Sequence, residues 1–229
     1  MFIYNLFRKN IAIFANMNEY DCYIFDLDGT LLNTLTDLTI CCNHALCLSG
    51  FPEHTEEEVR GMVGNGIGKL IERAMPKEQL ASHYEKVLTD FKEYYMQHGL
   101  DNTKPYDGII DLLDALKQRG KRIAVVSNKI QAAAQMLCEK IFGDRIDVVV
   151  GESESIRSKP MPDRVEKAIS FIGAEKNSCI YIGDSDVDIL TARNSGLSCI
   201  SVLWGFKSLE QLVAAGATRI IKSPDELIN

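Results

Sequence analysis

Two acidic clusters stand out for their spacing: Asp26-Leu27-Asp28-Gly29 early in the chain and Gly183-Asp184-Ser185-Asp186-Val187-Asp188 late in it. Between them come a Ser127-Asn128 pair and a lysine just ahead of two prolines, Lys159-Pro160-Met161-Pro162. Carboxylate oxygens suit a hard octahedral cation such as magnesium, while an ammonium and a hydroxyl can offset the charge of a phosphoryl group. Brought together, the four segments would make a site for magnesium-assisted phosphoryl transfer. Each alone has a plainer explanation. Asp-x-Asp-Gly is a common turn, Ser-Asn an ordinary helix cap, a loop lysine is usually solvated, and acids often dress a helix N-terminus.

The elements around these segments decide between the two explanations. Cys22 to Phe25 is short, apolar and rich in aromatic and β-branched residues, the composition of a strand covered on both faces, and Gly29 supplies the turn that ends it. On an extended chain residues i and i+2 point the same way, so Asp26 and Asp28 could converge on one ligand. Strands are also predicted at residues 122–126, 146–150, 178–182, 198–202 and 219–221. Helices are predicted at 109–118, 132–141, 164–172 and 187–195, with Gly120, Gly143, Gly173 and Gly196 as stop signals. This βα rhythm implies a doubly wound parallel sheet, a Rossmann-like α/β core. Strand 122–126 is expected to open a helix at Ser127-Asn128, whose positive end would be an anion site. Four strands then finish in an acid pair, a hydroxyl, a lysine and an acid cluster, all on the edge where open α/β sheets bind ligands.

Residues 34–104 break that rhythm. Leu35, Leu38, Cys42, Ala45 and Leu46 form one apolar stripe, Val59, Met62, Val63, Ile67, Leu70, Ile71 and Ala74 a second, and Leu80, Tyr84, Val87, Leu88, Phe91 and Tyr95 a third. The expectation is a small all-helical cap inserted after the first strand, between core segments 17–33 and 105–229. Within it, Gly61-Met62-Val63-Gly64-Asn65-Gly66-Ile67-Gly68-Lys69 fits no nucleotide-binding glycine motif and follows a helix. It reads as a flexible turn between helices that could lower Asn65 or Lys69 over the mouth of the site.

Composition narrows the partners. The chain has 229 residues, is 46% hydrophobic and carries a net charge of -7 from 32 acids and 25 bases, which argues against nucleic acid as the main partner. Its seven cysteines form no Cys-x-x-Cys pair and several sit in apolar runs, as reduced thiols in a cytoplasmic protein would. The four histidines lack metal-ligand spacing. Residues 1–16 read as an extension whose apolar segments are too short to span a membrane, with Met17 as the expected natural start.

With those residues in place, the chain from about Tyr20 onward resembles the haloacid dehalogenase superfamily. The family's four motifs match Asp26-x-Asp28-Gly29-Thr30, Ser127, Lys159 and Gly183-Asp184-Ser185-x-x-Asp188. The resemblance implies a nucleophilic Asp26 that forms an aspartyl-phosphate and an Asp28 acting as acid and base. It further implies magnesium held by Asp26, the Asp28 backbone carbonyl and Asp184, with Asp188 in support. Ser127, Lys159 and backbone N–H groups of Leu27 and Asn128 would bind the phosphoryl group, and Thr30 and Asn65 are added as substrate-binding candidates. An acid at position 28 favours phosphoester over dehalogenase or phosphonate chemistry. Val63-Gly64-x-Gly66, Trp204-Gly205-Phe206 and Ser223-Pro224-x-Glu226-Leu227 are similar to the phosphoglycolate phosphatase branch. That makes 2-phosphoglycolate the lead substrate, ahead of pyrophosphate, nucleoside monophosphates and sugar phosphates. A sugar phosphomutase or a non-catalytic binding protein ranks lower.

Overall fold

The computed structural model describes residues 20–228. Residues 1–16 and Met17, the predicted extension and start, lie outside them.

Strand β1 (Cys22–Phe25) forms where four consecutive apolar side chains can be buried on alternate faces of a sheet. Tyr23 and Phe25 enter one core cluster with α5 (Ile109–Gln118) and α6 (Gln131–Phe142). Cys22 and Ile24 enter the opposite cluster with α7 (Asp163–Ile172) and α8 (Asp186–Asn194). Truncating Phe25 to Ala would cost about 3–5 kcal/mol, the usual penalty for an emptied aromatic site.

The other strands are β4 (Arg122–Ile130), β5 (Val148–Glu152), β6 (Cys179–Gly183), β7 (Ser198–Val202) and β8 (Ile220–Ile221). All pair in parallel in the order β5-β4-β1-β6-β7-β8. Strand order therefore reverses at β1, and the crevice beyond its carboxyl end is the switch point of a doubly wound sheet. One expectation is corrected. Ser127-Asn128 does not open a helix: β4 runs on to Ile130, pairing Ile130 with Glu152 across an irregularity after Val126, and α6 starts only at Gln131. A bulge replaces the expected helix N-terminus and re-aims the strand end.

A two-stranded antiparallel ribbon, β2 (Leu32–Asn33) with β3 (Lys104–Pro105), brackets an all-helical insertion. It contains α1 (Leu35–Leu48), α2 (Glu56–Met62), α3 (Ile67–Ala74) and α4 (Leu80–His98). Their apolar stripes share a separate cluster into which the rest of the chain sends only Ala133 and Phe206 as buried members. Buried Asp37, in the first turn of α1, accepts bonds of 2.7–3.1 Å from the backbone and side chains of Asn102 and Thr103, fixing the return of the chain to β3. No helix among the described residues is long and apolar enough to cross a membrane. All seven cysteines are free.

Candidate active site

The register of the sheet assembles the site. Phe25 is level with Val125 on β4 and Ile182 on β6, so Asp26, Ser127 and Asp184 emerge together at the carboxyl edge. The Asp26 N–H donates to the Ile182 carbonyl at 2.9 Å, locking the first residue past β1 to its neighbour. One carboxylate oxygen each from Asp26, Asp184 and Asp188 lies within 4.8 Å of the others, and all three residues are buried.

Lys159 is the counterweight. Its Nζ is 2.8 Å from Asp26 Oδ1 and 2.8 Å from Asp188 Oδ1. It also donates to the Tyr181 hydroxyl at 3.2 Å. Its contact with Asp26 is an ion pair poorly aligned for a hydrogen bond, which leaves that carboxylate oxygen able to take another partner. Asp188 also accepts from the Ser185 N–H at 3.1 Å and hydroxyl at 2.6 Å, so it caps α8 while anchoring Lys159. One acid thus serves both as the cap of a helix and as the anchor of Lys159.

Asp184 is held from three sides. Its Oδ2 accepts from the Phe206 N–H at 2.7 Å, its Oδ1 lies 3.5 Å from the Thr30 hydroxyl, and Gly29 and Gly205 press their backbones against it. A Cβ at either glycine would strike the carboxylate, and Gly29 also has φ of +85°.

These acids are under electrostatic load. Burial pushes the Asp26 carboxyl up to about 7, Asp188 adds to the shift, and Lys159 works against it. Burial, then Asp188 and Asp26, push Asp184 well above the ordinary carboxylate range. Burial opposes the Lys159 ammonium, but Asp188 and Asp26 overcome this and leave its pKa raised. The cluster is short of positive charge and offers hard oxygen donors, the conditions that a bound divalent cation satisfies.

Several placements differ from expectation. Asn128 turns its side chain away from the cavity's anion-binding groups: its Oδ1 accepts from the Lys159 N–H at 2.9 Å and from Arg164 at 2.8 Å, and its Nδ2 donates to the Lys159 carbonyl at 3.3 Å. It fastens the Lys159 loop to β4. Thr30 is fully buried behind Asp184, with its carbonyl taken by Trp204 Nε1 at 2.9 Å, and does not line the cavity. Asn65 is exposed and its carbonyl oxygen accepts from Arg73 at 2.6 Å. The loop does reach the mouth of the site, but through Gly64 and Gly66; the latter has φ of +83° and packs beside the Asn128 carbonyl. Lys69 pairs with Glu72 in a neighbouring surface depression.

Two cations escaped sequence reasoning. Lys129, in the bulged end of β4, places its buried Nζ 2.7 Å from Asp28 Oδ1 and 4.9 Å from the centre of the Tyr95 ring on α4. Burial opposes its charge, but Asp28 and Tyr95 leave its pKa raised. Arg164 is fully buried and bonds the Ser127 carbonyl at 2.7 Å, Asn128 and the Ser158 hydroxyl at 3.1 Å. Nothing local distinguished Lys129 from a solvated loop lysine. The apolar stripe of α7 offered a weak signal for Arg164, which interrupts it.

The cavity enclosed between the sheet edge and the helical insertion has a volume of about 60 Å³. Asp26, Asp28, Ser127, Lys129, Lys159 and Asp184 form its polar wall, and Leu38, Val63, Ile67 and Leu70 face them from the insertion.

Comparison with known proteins agrees with this geometry. Residues 23–202 match the family model for haloacid dehalogenase-like hydrolases. The chain belongs to that family. Its relatives include a phosphoglycolate phosphatase of Aquifex aeolicus, 30% identical over 83% of this chain and 88% of the relative. An N-acetylmuramic acid 6-phosphate phosphatase of Pseudomonas aeruginosa is 31% identical over 90% and 92%. Among solved structures, a Lactobacillus delbrueckii protein described as a candidate phosphoglycolate phosphatase superposes with a TM-score of 0.85. It is 36% identical and covers 91% of this chain and 96% of its own. The haloacid dehalogenase family thus supplies both the fold and a hydrolase of the phosphatase kind.

Proposed function

We propose that this protein is a magnesium-dependent phosphomonoesterase acting through an aspartyl-phosphate on Asp26, with 2-phosphoglycolate as its preferred substrate. The observation that carries the reading is Asp26 itself: a buried carboxylate at the switch point, paired with Lys159 and grouped with Asp184 and Asp188. Residues 34–104 would act as the cap over a core of 17–33 and 105–229.

In the first step an Asp26 carboxylate oxygen attacks phosphorus and the bond from phosphorus to the ester oxygen breaks. A protonated Asp28 gives its proton to the departing alkoxide. In the second step the Asp28 carboxylate takes a proton from water as the water oxygen attacks phosphorus. The bond to Asp26 then breaks, releasing phosphate and restoring the nucleophile. Ser127, Lys159 and the backbone N–H groups of Leu27 and Asn128 would hold the phosphoryl oxygens. Asp26, Asp184 and the Asp28 carbonyl would hold magnesium, which supplies charge neutralisation for the phosphoryl group. Asp188 keeps Lys159 in place, and Arg164 and the Asn128 side chain keep the two binding segments in register.

The apolar side chains of Leu38, Val63, Ile67 and Leu70 on the insertion wall offer no hydrogen-bond partners to the hydroxyls of a sugar, which supports a compact leaving group. A sugar-phosphate reading is kept by one observation, the N-acetylmuramic acid 6-phosphate phosphatase that matches 90% of the chain. Magnesium-dependent phosphate release, measured as kcat/KM on 2-phosphoglycolate, pyrophosphate, nucleoside monophosphates and hexose phosphates, separates them. A preference of roughly 100-fold for 2-phosphoglycolate, about 2.7 kcal/mol, is expected; a hexose phosphate in first place would replace it.

A further inference from the structure

Lys129 is the most unusual charge in the cavity. Its ammonium is 6% exposed at the level of the residue, sits under the Tyr95 ring and reaches the same space as Asp26 and Lys159. Lys159 is committed to Asp26 and Asp188. Lys129 has one carboxylate partner, Asp28 Oδ1 at 2.7 Å. An ammonium has three donors, so Asp28 leaves it with hydrogen-bonding capacity. The wall contributed by the helical insertion, Leu38, Val63, Ile67 and Leu70, can match no negative charge.

We infer that Lys129 is a specificity-determining residue that binds a carboxylate on the leaving group, selecting phosphate esters of short 2-hydroxy acids over neutral alkyl phosphates. The inference rests on the proposed reaction, in which Asp28 protonates the ester oxygen. An ester oxygen within hydrogen-bond reach of Asp28 puts a carboxylate one methylene away beside the ammonium that Asp28 already touches. Tyr95 strengthens the contact by excluding water from one side of the ammonium, and a charge pair gains strength as the surroundings lose polarity. The cap thereby takes part in recognition without a charged side chain in the cavity: it supplies the cover, and the core supplies the charge.

The test compares 2-phosphoglycolate with 2-hydroxyethyl phosphate, of similar size but uncharged at the distal end, in wild type, Lys129→Met and Lys129→Arg. The readout is the ratio of kcat/KM for the two esters, which cancels any general loss caused by disturbing Asp28. Wild type should prefer the carboxylate ester. Lys129→Met should lower that ratio by roughly 30-fold, about 2 kcal/mol at 1.4 kcal/mol per decade, the range of hydrogen bonds to charged groups. Lys129→Arg should keep part of the preference. Equal losses on both esters would overturn the inference and leave Lys129 as a support for Asp28. So would a wild-type enzyme that hydrolyses both esters equally well, a result that needs no folded variant. Folded wild type that hydrolyses neither ester would instead defeat 2-phosphoglycolate as the proposed substrate, and the inference with it.

Discussion

The two walls of the cavity are built on opposite principles. On the sheet side, the polar side chains are held by their neighbours: Asp184 by Phe206, Gly29 and Gly205, Lys159 by Asp26, Asp188 and Tyr181, Asn128 by Arg164 and the Lys159 backbone. On the insertion side, Leu38, Val63, Ile67 and Leu70 offer shape and a glycine loop offers backbone, with Asn65 and Lys69 turned to partners outside the cavity. A rigid polar constellation favours transition-state stabilisation, because its dipoles need no reorganisation during reaction. An apolar wall carried by a separate helical insertion can change to suit different leaving groups without disturbing the chemistry.

That contrast predicts a gradient of effects. The largest belongs to the nucleophile: Asp26→Asn should reduce turnover by at least about 1,000-fold while leaving the melting temperature nearly unchanged. Steady-state kinetics beside thermal denaturation would check both halves, and activity near wild type would break the assignment. Next come the glycines against Asp184. Gly29→Ala adds both a collision with that carboxylate and a strained backbone, so a loss of about 100-fold in kcat/KM with a lowered melting temperature is expected.

The metal-linked prediction is smaller and depends on pH. Because burial raises the Asp26 pKa to about 7, the stability associated with its protonated form is present below its unfolded value near 4. It is lost as pH rises through about 7. Magnesium competes with that proton, so its stabilising effect should grow with pH. At one fixed magnesium concentration, a hundredfold above the Kd at pH 7.5, the melting temperature should rise by about 5 °C at pH 7.5 and by clearly less at pH 5.5. An equal shift at both pH values would separate the cation from the acid cluster. The smallest effect belongs to the far side of the contrast: Asn65→Ala, which removes a partner of Arg73 outside the cavity, should change kcat/KM by less than about threefold on any ester.

The same contrast explains what could be read in the sequence. Apolar runs that end in Asp26, Ser127 and Asp184 announce themselves because strand composition and strand-end acids are both local signals, and the sheet merely aligns them. The helical stripes of the insertion were equally local. The bulge that carries β4 to Ile130 was hidden, since Ser127-Asn128 has the composition of a helix cap and only pairing with β5 draws the chain out straight. Lys129 and Arg164 acquire their meaning from partners 101 and 36–37 residues away, a distance no window on the sequence spans. Asn65 misled for the complementary reason: its neighbours Gly64 and Gly66 do reach the site, while its own amide is claimed by Arg73 eight residues on.

The central claim is that Asp26 becomes phosphorylated. Wild-type protein mixed with 2-phosphoglycolate and magnesium, quenched in acid within one turnover and digested, should yield the peptide containing Asp26 with one added phosphoryl group. The adduct should be lost without magnesium and in Asp26→Asn. Rapid phosphate release with no phosphorylated peptide at any quench time, or with the phosphoryl group on another residue, would contradict the account.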